Sequence, residues 1–335
     1  MPPVRVAVDV MGADRGPEEI VAGAVEAAGD AIQPIVVGPR GLDTRGLDLI
    51  EAPDTIEMDD KPTEAVRAKE NSSLVVACRA VGDGRADAVV SPGNTGAMLA
   101  ASLLHIRRIK GVQRPAIGVV LPARNGPNVL IDAGANADAR PEHLVQFAEM
   151  GTALSREVLG VRSPRVRLLS IGEEPEKGNQ LTLESHELLA QTDAFAGNTE
   201  GRELLSGGDE VIVTDGFTGN VALKVMEGTI RTILEGLRAE ITASTRGKLG
   251  GLLIRPASKR LRARLDPDTY GGAYLLGVRG LVVIAHGNSS ARAITNAVRL
   301  AGRGVEHDVV GKLAERFTET VLESGRFTTP DPKMR

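Results

Sequence analysis

The chain has 335 residues with 40 Lys and Arg against 44 Asp and Glu, a net charge of −4, a balance that belongs to a globular protein and gives no general attraction for nucleic acid. Glycine is abundant at 39 residues, while Trp, Tyr and Phe together number seven, too few to stack on single-stranded bases. A single cysteine, Cys78, excludes an internal disulfide and a Cys-based metal cluster; it lies in the apolar helical string SSLVVACRAV and reads as core packing.

In chain order, short β-branched runs alternate with longer helical patterns. The strands expected are 4–10, 33–38, 86–91, 115–121, 128–134, 165–172, 209–216 and 280–287, and the helices 17–29, 63–82, 96–109, 141–159, 220–242 and 289–302. Alternation of this kind predicts an α/β fold, a mostly parallel sheet flanked by helices. No repeat or low-complexity linker divides residues 1–335, so one domain is expected. The N-terminal string MPPVRVAVDVMG reads as a strand and turn, not a secretory signal, and no apolar run reaches the roughly 18 residues of a membrane span; the expected location is the cytoplasm.

In such sheets ligands bind where strands end and helices begin. Asn follows Gly directly, or one residue later, at Asn94, Asn136, Asn179, Asn198, Asn220 and Asn288. Glycine permits close backbone approach, the amide both donates and accepts, and a helix N-terminus favours an anion. Phosphate is the natural guest, although each Gly-Asn pair is also ordinary turn and cap chemistry. Four of these sites, expected on one edge of the sheet, strengthen the anion reading. The chain has no GxGxxG after a strand, GxxxxGK[ST], HExxH or GxSxG string, so nicotinamide, nucleotide-hydrolysis, zinc and serine-hydrolase readings weaken. No cofactor or metal is expected. What remains is an amide-rich set with a few charges: Lys177, Asp132, Asp215, Lys224 and His286, with Thr95, Gly96 and Ser289 beside the asparagines.

From Arg231 to Arg264 there are nine Lys and Arg against two Glu, a net of +7 inside a chain of −4, so the rest carries −11. At the middle of this segment lies LGGLLI. We expect a helical hairpin over 227–268 with Leu249, Leu252, Leu253 and Ile254 as its apolar tip, made flexible by Gly250 and Gly251 and ended by Pro256. Basic flanks around a greasy tip suit an anionic membrane surface; a dimer contact or a carrier-protein patch would use the same features.

The strings VDVMGADRGP, DKPTEAVRAKENSS, SPGNTGAMLA, IDAGANADARPEHLVQFA, EKGN, TDGFTGNVALK, YGGAYLLGVRG and AHGNSSARAI, collinear over nearly the whole chain, closely resemble the bacterial phosphate acyltransferases that make acyl phosphates for phospholipid synthesis. That family usually has Ala at Pro92 and Glu at Gln180. The resemblance implies transfer of a fatty acyl group from acyl carrier protein to inorganic phosphate, a phosphotransacetylase- and isopropylmalate dehydrogenase-like fold, a homodimer, and delivery of product to a membrane glycerol-3-phosphate acyltransferase. A phosphotransacetylase-like enzyme using short acyl-CoA and a non-catalytic anion-binding protein are the alternatives. Phosphate dianion is a competent nucleophile and a thiolate a workable leaving group, so direct attack is expected, with no acyl-enzyme. Lys177 and Asn179 would hold phosphate or the developing oxyanion, Asn94, Asn136, Asn220 and Asn288 would add amides at the same edge, and Asp215 or His286 would orient a donor or manage a proton.

Overall fold

The computed structural model describes residues 2–208, 210–266, 269 and 271–323. Pro267 and Asp268, which end the expected hairpin, and Asp209 and Tyr270 lie outside the described residues.

Eleven strands form one sheet: β1 (Val4–Asp9), β2 (Ile32–Gly38), β3 (Asp48–Glu51), β4 (Ala88–Ser91), β5 (Ala116–Leu121), β6 (Asn128–Ile131), β7 (Arg165–Ser170), β8 (Phe195–Glu200), β9 (Glu210–Val213), β10 (Ala273–Leu276) and β11 (Leu281–Ile284), in the order β3-β2-β1-β4-β11-β10-β5-β6-β9-β7-β8. Most neighbours are parallel, and the three antiparallel pairs all involve β10 or β5. That small exception governs the functional geometry. Because β5 pairs antiparallel with β6, the block β6-β9-β7-β8 runs opposite to β3-β2-β1-β4-β11. Carboxyl ends of the two blocks therefore open at opposite edges of the sheet.

Helices cover both faces. One core joins α1 (Pro17–Ala27), α5 (Pro141–Leu159), α9 (Ala291–Glu306) and α10 (Val309–Glu323) to the sheet through Ile20, Phe147, Leu154, Ile294 and Val298. The other joins α2 (Pro62–Ala68), α3 (Ser73–Gly82), α4 (Thr95–Ala101) and the start of α7 (Gly216–Thr242) through Val66, Leu74, Met98, Leu130 and Leu223. Central strands buried on both faces, such as β4, β9 and β11, are built on the apolar runs AVV, VIV and LVVI, as parallel sheets require.

Several expected elements change. The helix expected over 63–82 is two, because Lys69–Ser72 turns aside to let Ser73 N–H donate to the Asp54 carbonyl (3.0 Å). The helix expected over 96–109 passes into a π-helical turn, Ser102–Ile106, and stops at Arg107 with φ 70°. Strands β3, β8 and β10 and helices α6 (Gln180–Leu189) and α10 add to the expected set. Cys78 is fully buried between Met98 and Ser102, and burial pushes its thiol up to about 12.

The hairpin forms with a different turn. It reverses at Ala243–Ser244, where Ser244 Oγ accepts from Gly247 N–H (3.0 Å), and α8 (Thr245–Leu265) runs straight through LGGLLI and Pro256. The serine cap starts the helix before the leucines, so they lie along its first half and not at a flexible tip. Pro256 costs one backbone bond, that to the Leu252 carbonyl, without ending the helix. No residue of α8 is buried.

Candidate active site

At the carboxyl edge of the β1–β4–β11 block, three loops are tied together. Asp9, fully buried, accepts from Ser91 Oγ (2.7 Å) and Met11 N–H (3.1 Å), and burial raises its pKa against these bonds. Asp14 N–H donates to the Gly287 carbonyl (2.8 Å), and Ala285 N–H to that of Ser91 (2.9 Å). Asn94 caps α4, its Oδ1 accepting from Ala97 N–H (3.0 Å) and its Nδ2 donating to the carbonyls of Met58 (3.0 Å) and Asp60 (3.3 Å). Its amide is fully employed in holding the loop. Gly96 faces α2: a Cβ there would lie 2.6 Å from Pro62. Ser289 is buried, with its N–H on the His286 carbonyl (3.0 Å). Thr95 and Asn288 stay exposed at this edge.

The opposite edge is built around Asp132. Buried and raised in pKa by that burial, its carboxylate accepts from the backbone N–H groups of Ile117 (3.1 Å), Gly134 (3.3 Å), Ala135 (2.8 Å) and Asn136 (2.8 Å). Asn136 Nδ2 donates to Asp132 (2.8 Å) and to the Pro115 carbonyl (2.7 Å). These two residues organise the loop from inside. Asp215 caps α7 by accepting from Thr218 N–H (2.9 Å), and Asn179 caps α6 by accepting from Thr182 N–H (2.9 Å). Lys177 is exposed on the loop before Asn179.

The expectation that Asn94, Asn136, Asn220 and Asn288 share one edge with Lys177 and Asn179 is therefore corrected. Asn94 and Asn288 lie at one edge, Asn136, Lys177, Asn179 and Asp215 at the other, because the second block of strands is reversed.

Helix α7 connects the edges. Its first turn sits on the Asp132 loop without side chains in between: a Cβ on Gly219 would come 2.0 Å from the Asp132 carbonyl, and one on Gly216 2.7 Å from Asn136 N. From there the helix crosses the sheet face toward His286. Between helix and sheet lies a cavity of 380 Å³, lined by Thr95, Gly134, Asn220, Lys224, Glu227 and His286 among others. A second, of 330 Å³, shares Lys224, Glu227 and His286 and adds Asn288, Arg231 and Arg262. Glu227, with 14 % of its side chain exposed, stands between two cation-capable groups: Lys224 Nζ at 3.0 Å and His286 Nε2 at 3.5 Å. A half-buried carboxylate with two such partners fixes both in place. The arrangement offers an anion a lysine, an imidazole and two amides on a groove floored by Ile117, Val119, Leu121 and Ile284.

Of the residues expected from sequence, the structure thus brings together Thr95, Asn220, Lys224, His286 and Asn288. Glu227, Arg231 and Arg262 were missed. Glu227 follows Lys224 by three residues, a helical ion-pair spacing legible in LKVMEG; its second partner, His286, comes from 59 residues on and has no sequence signal. Among the described residues no group of His, Cys, Asp and Glu is arranged to hold a metal ion, and no helix is long and apolar enough to cross a membrane.

The family model described as "Fatty acid synthesis protein" matches residues 4–312. The chain belongs to that family. Among relatives, "Phosphate acyltransferase" of Desulforudis audaxviator is 46% identical over 333 residues, covering 97% of this chain and 99% of the relative, and that of Heliobacterium modesticaldum is 44% identical over 327 residues, covering 94% and 98%. As a member of this family the chain is an acyltransferase of lipid synthesis. In fold it is similar to the EutD phosphotransacetylase from Staphylococcus aureus (TM-score 0.59, 18% identity, 90% of this chain and 94% of that one) and a branched-chain phosphotransacylase from Enterococcus faecalis (0.58, 17%, 91% and 99%). The family's strings end up on both sides of the groove: SPGNTG and AHGNSS at one edge, IDAGAN and EKGN at the other, with TDGFTGNVALK crossing between them.

Proposed function

We propose that the chain transfers a fatty acyl group from the thioester of acyl carrier protein to inorganic phosphate, giving acyl phosphate for phospholipid synthesis. The observation that carries this reading is the Lys224–Glu227–His286 cluster on an apolar groove in an acyltransferase. A phosphate oxygen attacks the thioester carbonyl carbon, the tetrahedral oxyanion collapses, the C–S bond breaks and the thiolate leaves. Such a reaction asks for fixed positive charge and donors where the oxyanion grows, more than for a strong base. Lys224 and the Asn220 and Asn288 amides supply the donors, with Thr95 at the rim. His286, held by Glu227, is placed to protonate the departing sulfur. Lys177 and Asn179, outside both cavities, serve approach of the anions from the far edge.

The working form is a homodimer on the cytoplasmic face of the membrane. The hairpin supports that placement: Leu249, Leu252, Leu253 and Ile254 are 46–80 % exposed amid nine basic residues, where each Lys or Arg near an anionic surface contributes about 1 kcal/mol. Amphipathic acyl phosphate would leave there for a membrane glycerol-3-phosphate acyltransferase.

The test offers the protein matched fatty acyl thioesters of acyl carrier protein and of coenzyme A, with and without phosphate. The proposal expects phosphate-dependent loss of the carrier thioester, equimolar acyl phosphate and no stoichiometric acylated protein by mass spectrometry. Preference for short acyl-CoA, or a trapped acyl-enzyme, would refute it.

A further inference from the structure

A second basic region lies outside the hairpin, at the sheet edge that holds the Asp132 loop. The string RRIKGVQR (107–114) carries Arg107, Arg108, Lys110 and Arg114 with no acidic residue, and the fold sets Arg140 and Arg279 beside it. Arg279 N–H donates to the Arg107 carbonyl (2.9 Å) and its Nε to that of Arg108 (3.0 Å). Arg114 and Arg140 line a cleft of 960 Å³ together with Leu103, Arg108, Gln113 and His143. All six cations are exposed, and among the described residues none has a carboxylate within ion-pair distance. Asp138 in the cleft and Glu142 in the first turn of α5 offset two of the six charges.

The loop that presents these charges is firmly held. Ile109 N–H donates to the Gly277 carbonyl (3.0 Å). Gln146 of α5 clasps the loop's end, its Nε2 donating to the Gly111 carbonyl (2.9 Å) and its Oε1 accepting from Gln113 N–H (2.8 Å). Burial, then the charges of Arg114 and Arg140, hold His143 below the ordinary imidazole range, so its Nδ1 is free to accept from Arg140 N–H (3.1 Å). Like charges are thus kept together by bonds that do not neutralise them, an arrangement that calls for an anionic partner.

The surroundings narrow the partner. Outside Arg231–Arg264 the chain carries −11, so this surface stands out from an acidic body. A second copy docked through a two-fold contact would set the six cations against themselves. No Trp, Tyr or Phe lines the cleft to stack on bases. Leu104, next to Leu103 of the cleft, is 55% exposed and gives the basic surface an apolar spot, which is the anatomy of a protein interface. From the cleft, β5 leads into the active-site groove: the Pro115 carbonyl accepts from Asn136 Nδ2 (2.7 Å), Ile117 N–H donates to Asp132 (3.1 Å), and Ile117 and Val119 floor the groove.

Resting on the acyl-transfer reading above, we propose that the basic surface of Arg107, Arg108, Lys110, Arg114, Arg140 and Arg279 docks an acidic face of the acyl carrier protein and so presents its thioester to the groove. Complementary charge speeds the encounter and fixes its orientation, while the reacting groups stay on α7 and at His286.

The experiment measures kcat and KM for the hexadecanoyl thioester of acyl carrier protein with phosphate, without lipid, at about 20 and about 200 mM NaCl. Arg114→Glu with Arg140→Glu is expected to lower kcat/KM at least about tenfold at low salt, through KM, with kcat within about threefold of wild type and most of the salt dependence gone. Arg114→Lys with Arg140→Lys keeps the charge and should stay within about threefold. Arg45→Glu with Arg162→Glu makes the same change in net charge at exposed positions, beside the outermost strand β3 and ahead of β7, and should leave KM within about twofold. If the Arg114 and Arg140 reversal leaves KM within twofold while wild type turns over, the carrier docks elsewhere. A fall in kcat with unchanged KM would tie the surface to the chemistry or the fold, and an altered subunit count by light scattering would tie it to a second copy; either overturns the proposal. Unchanged carrier kinetics with lost binding to anionic vesicles would assign it to the membrane, again overturning it. Wild type that consumes no carrier thioester in a phosphate-dependent way defeats the acyl-transfer reading itself.

Discussion

Helix α7 is two different structures in one element. Its first eight residues bury Gly216, Gly219 and Leu223 against the sheet and the Asp132 loop, whereas from Gly228 to Thr242 it buries nothing, and its partner α8 buries nothing at all. The body it starts from is acidic; the arm it becomes is strongly basic. Lys224 and Glu227 sit where the two regimes meet. A rigid anchor and a projecting arm therefore share one continuous backbone, and the reactive cluster is placed at their junction, within reach of both the sheet's loops and the arm.

If this division is right, substitutions in the body and in the arm should fail in different ways. Removing Asp132 tests the body most severely. Asp132→Ala leaves four backbone N–H groups without their acceptor, those of Ile117 and Asn136 buried, and with about 1 to 3 kcal/mol at stake for each unsatisfied buried group a loss of at least about 2 kcal/mol is expected in urea unfolding; a loss under about 1 kcal/mol would mean the loop does not depend on this carboxylate.

Lys177→Ala sharpens the difference between the two sheet edges. An exposed lysine outside both active-site cavities contributes on the order of 1 kcal/mol, so kcat/KM should fall about fivefold; a drop near a hundredfold would move the anion site to that edge.

The arm predicts the reverse pattern to Asp132. Leu249→Ser with Leu253→Ser changes exposed side chains, so the unfolding midpoint should stay put to within about 0.5 kcal/mol while cosedimentation with anionic vesicles is lost. Retained binding, or a wild type that never binds, would remove the membrane role.

The smallest effect belongs to Cys78. With its thiol pushed up to about 12 by burial, the native protein should take up no iodoacetamide at pH 8 and the urea-unfolded protein one equivalent, and Cys78→Ala should keep turnover within twofold. Rapid native labelling would contradict the packing described.

How much of this could be read from sequence depends on which interactions set each feature. The helix over Pro141–Leu159 was legible to the residue, because proline opens it and Gly160 closes it in the left-handed conformation. Apolar runs marked the central strands, since burial on both faces leaves no alternative. The short edge strands β3 and β8 were not legible: DLIE and FAGNTE carry no apolar run. Nor were strand directions, which are set by pairing partners far apart in sequence, and so the amide-rich turns were assigned to one edge when two share them. Asn94 and Asn179 show the cost of that inference, since both oxygens cap helices. The hairpin was legible from its charge, but its turn was not: glycines and a proline drew attention to LGGLLI, while Ser244, a stronger signal by its capping chemistry, made the reversal earlier.

The central claim is that acyl transfer to phosphate happens at the junction cluster on α7. Its most direct test is the phosphate-dependent rate of hexadecanoyl thioester loss in wild type and in Lys224→Ala, with circular dichroism to confirm folding. The account predicts a rate that vanishes without phosphate and falls about a hundredfold in the variant, the scale of one lost electrostatic contact at a developing oxyanion. A folded Lys224→Ala within twofold of wild type would contradict it.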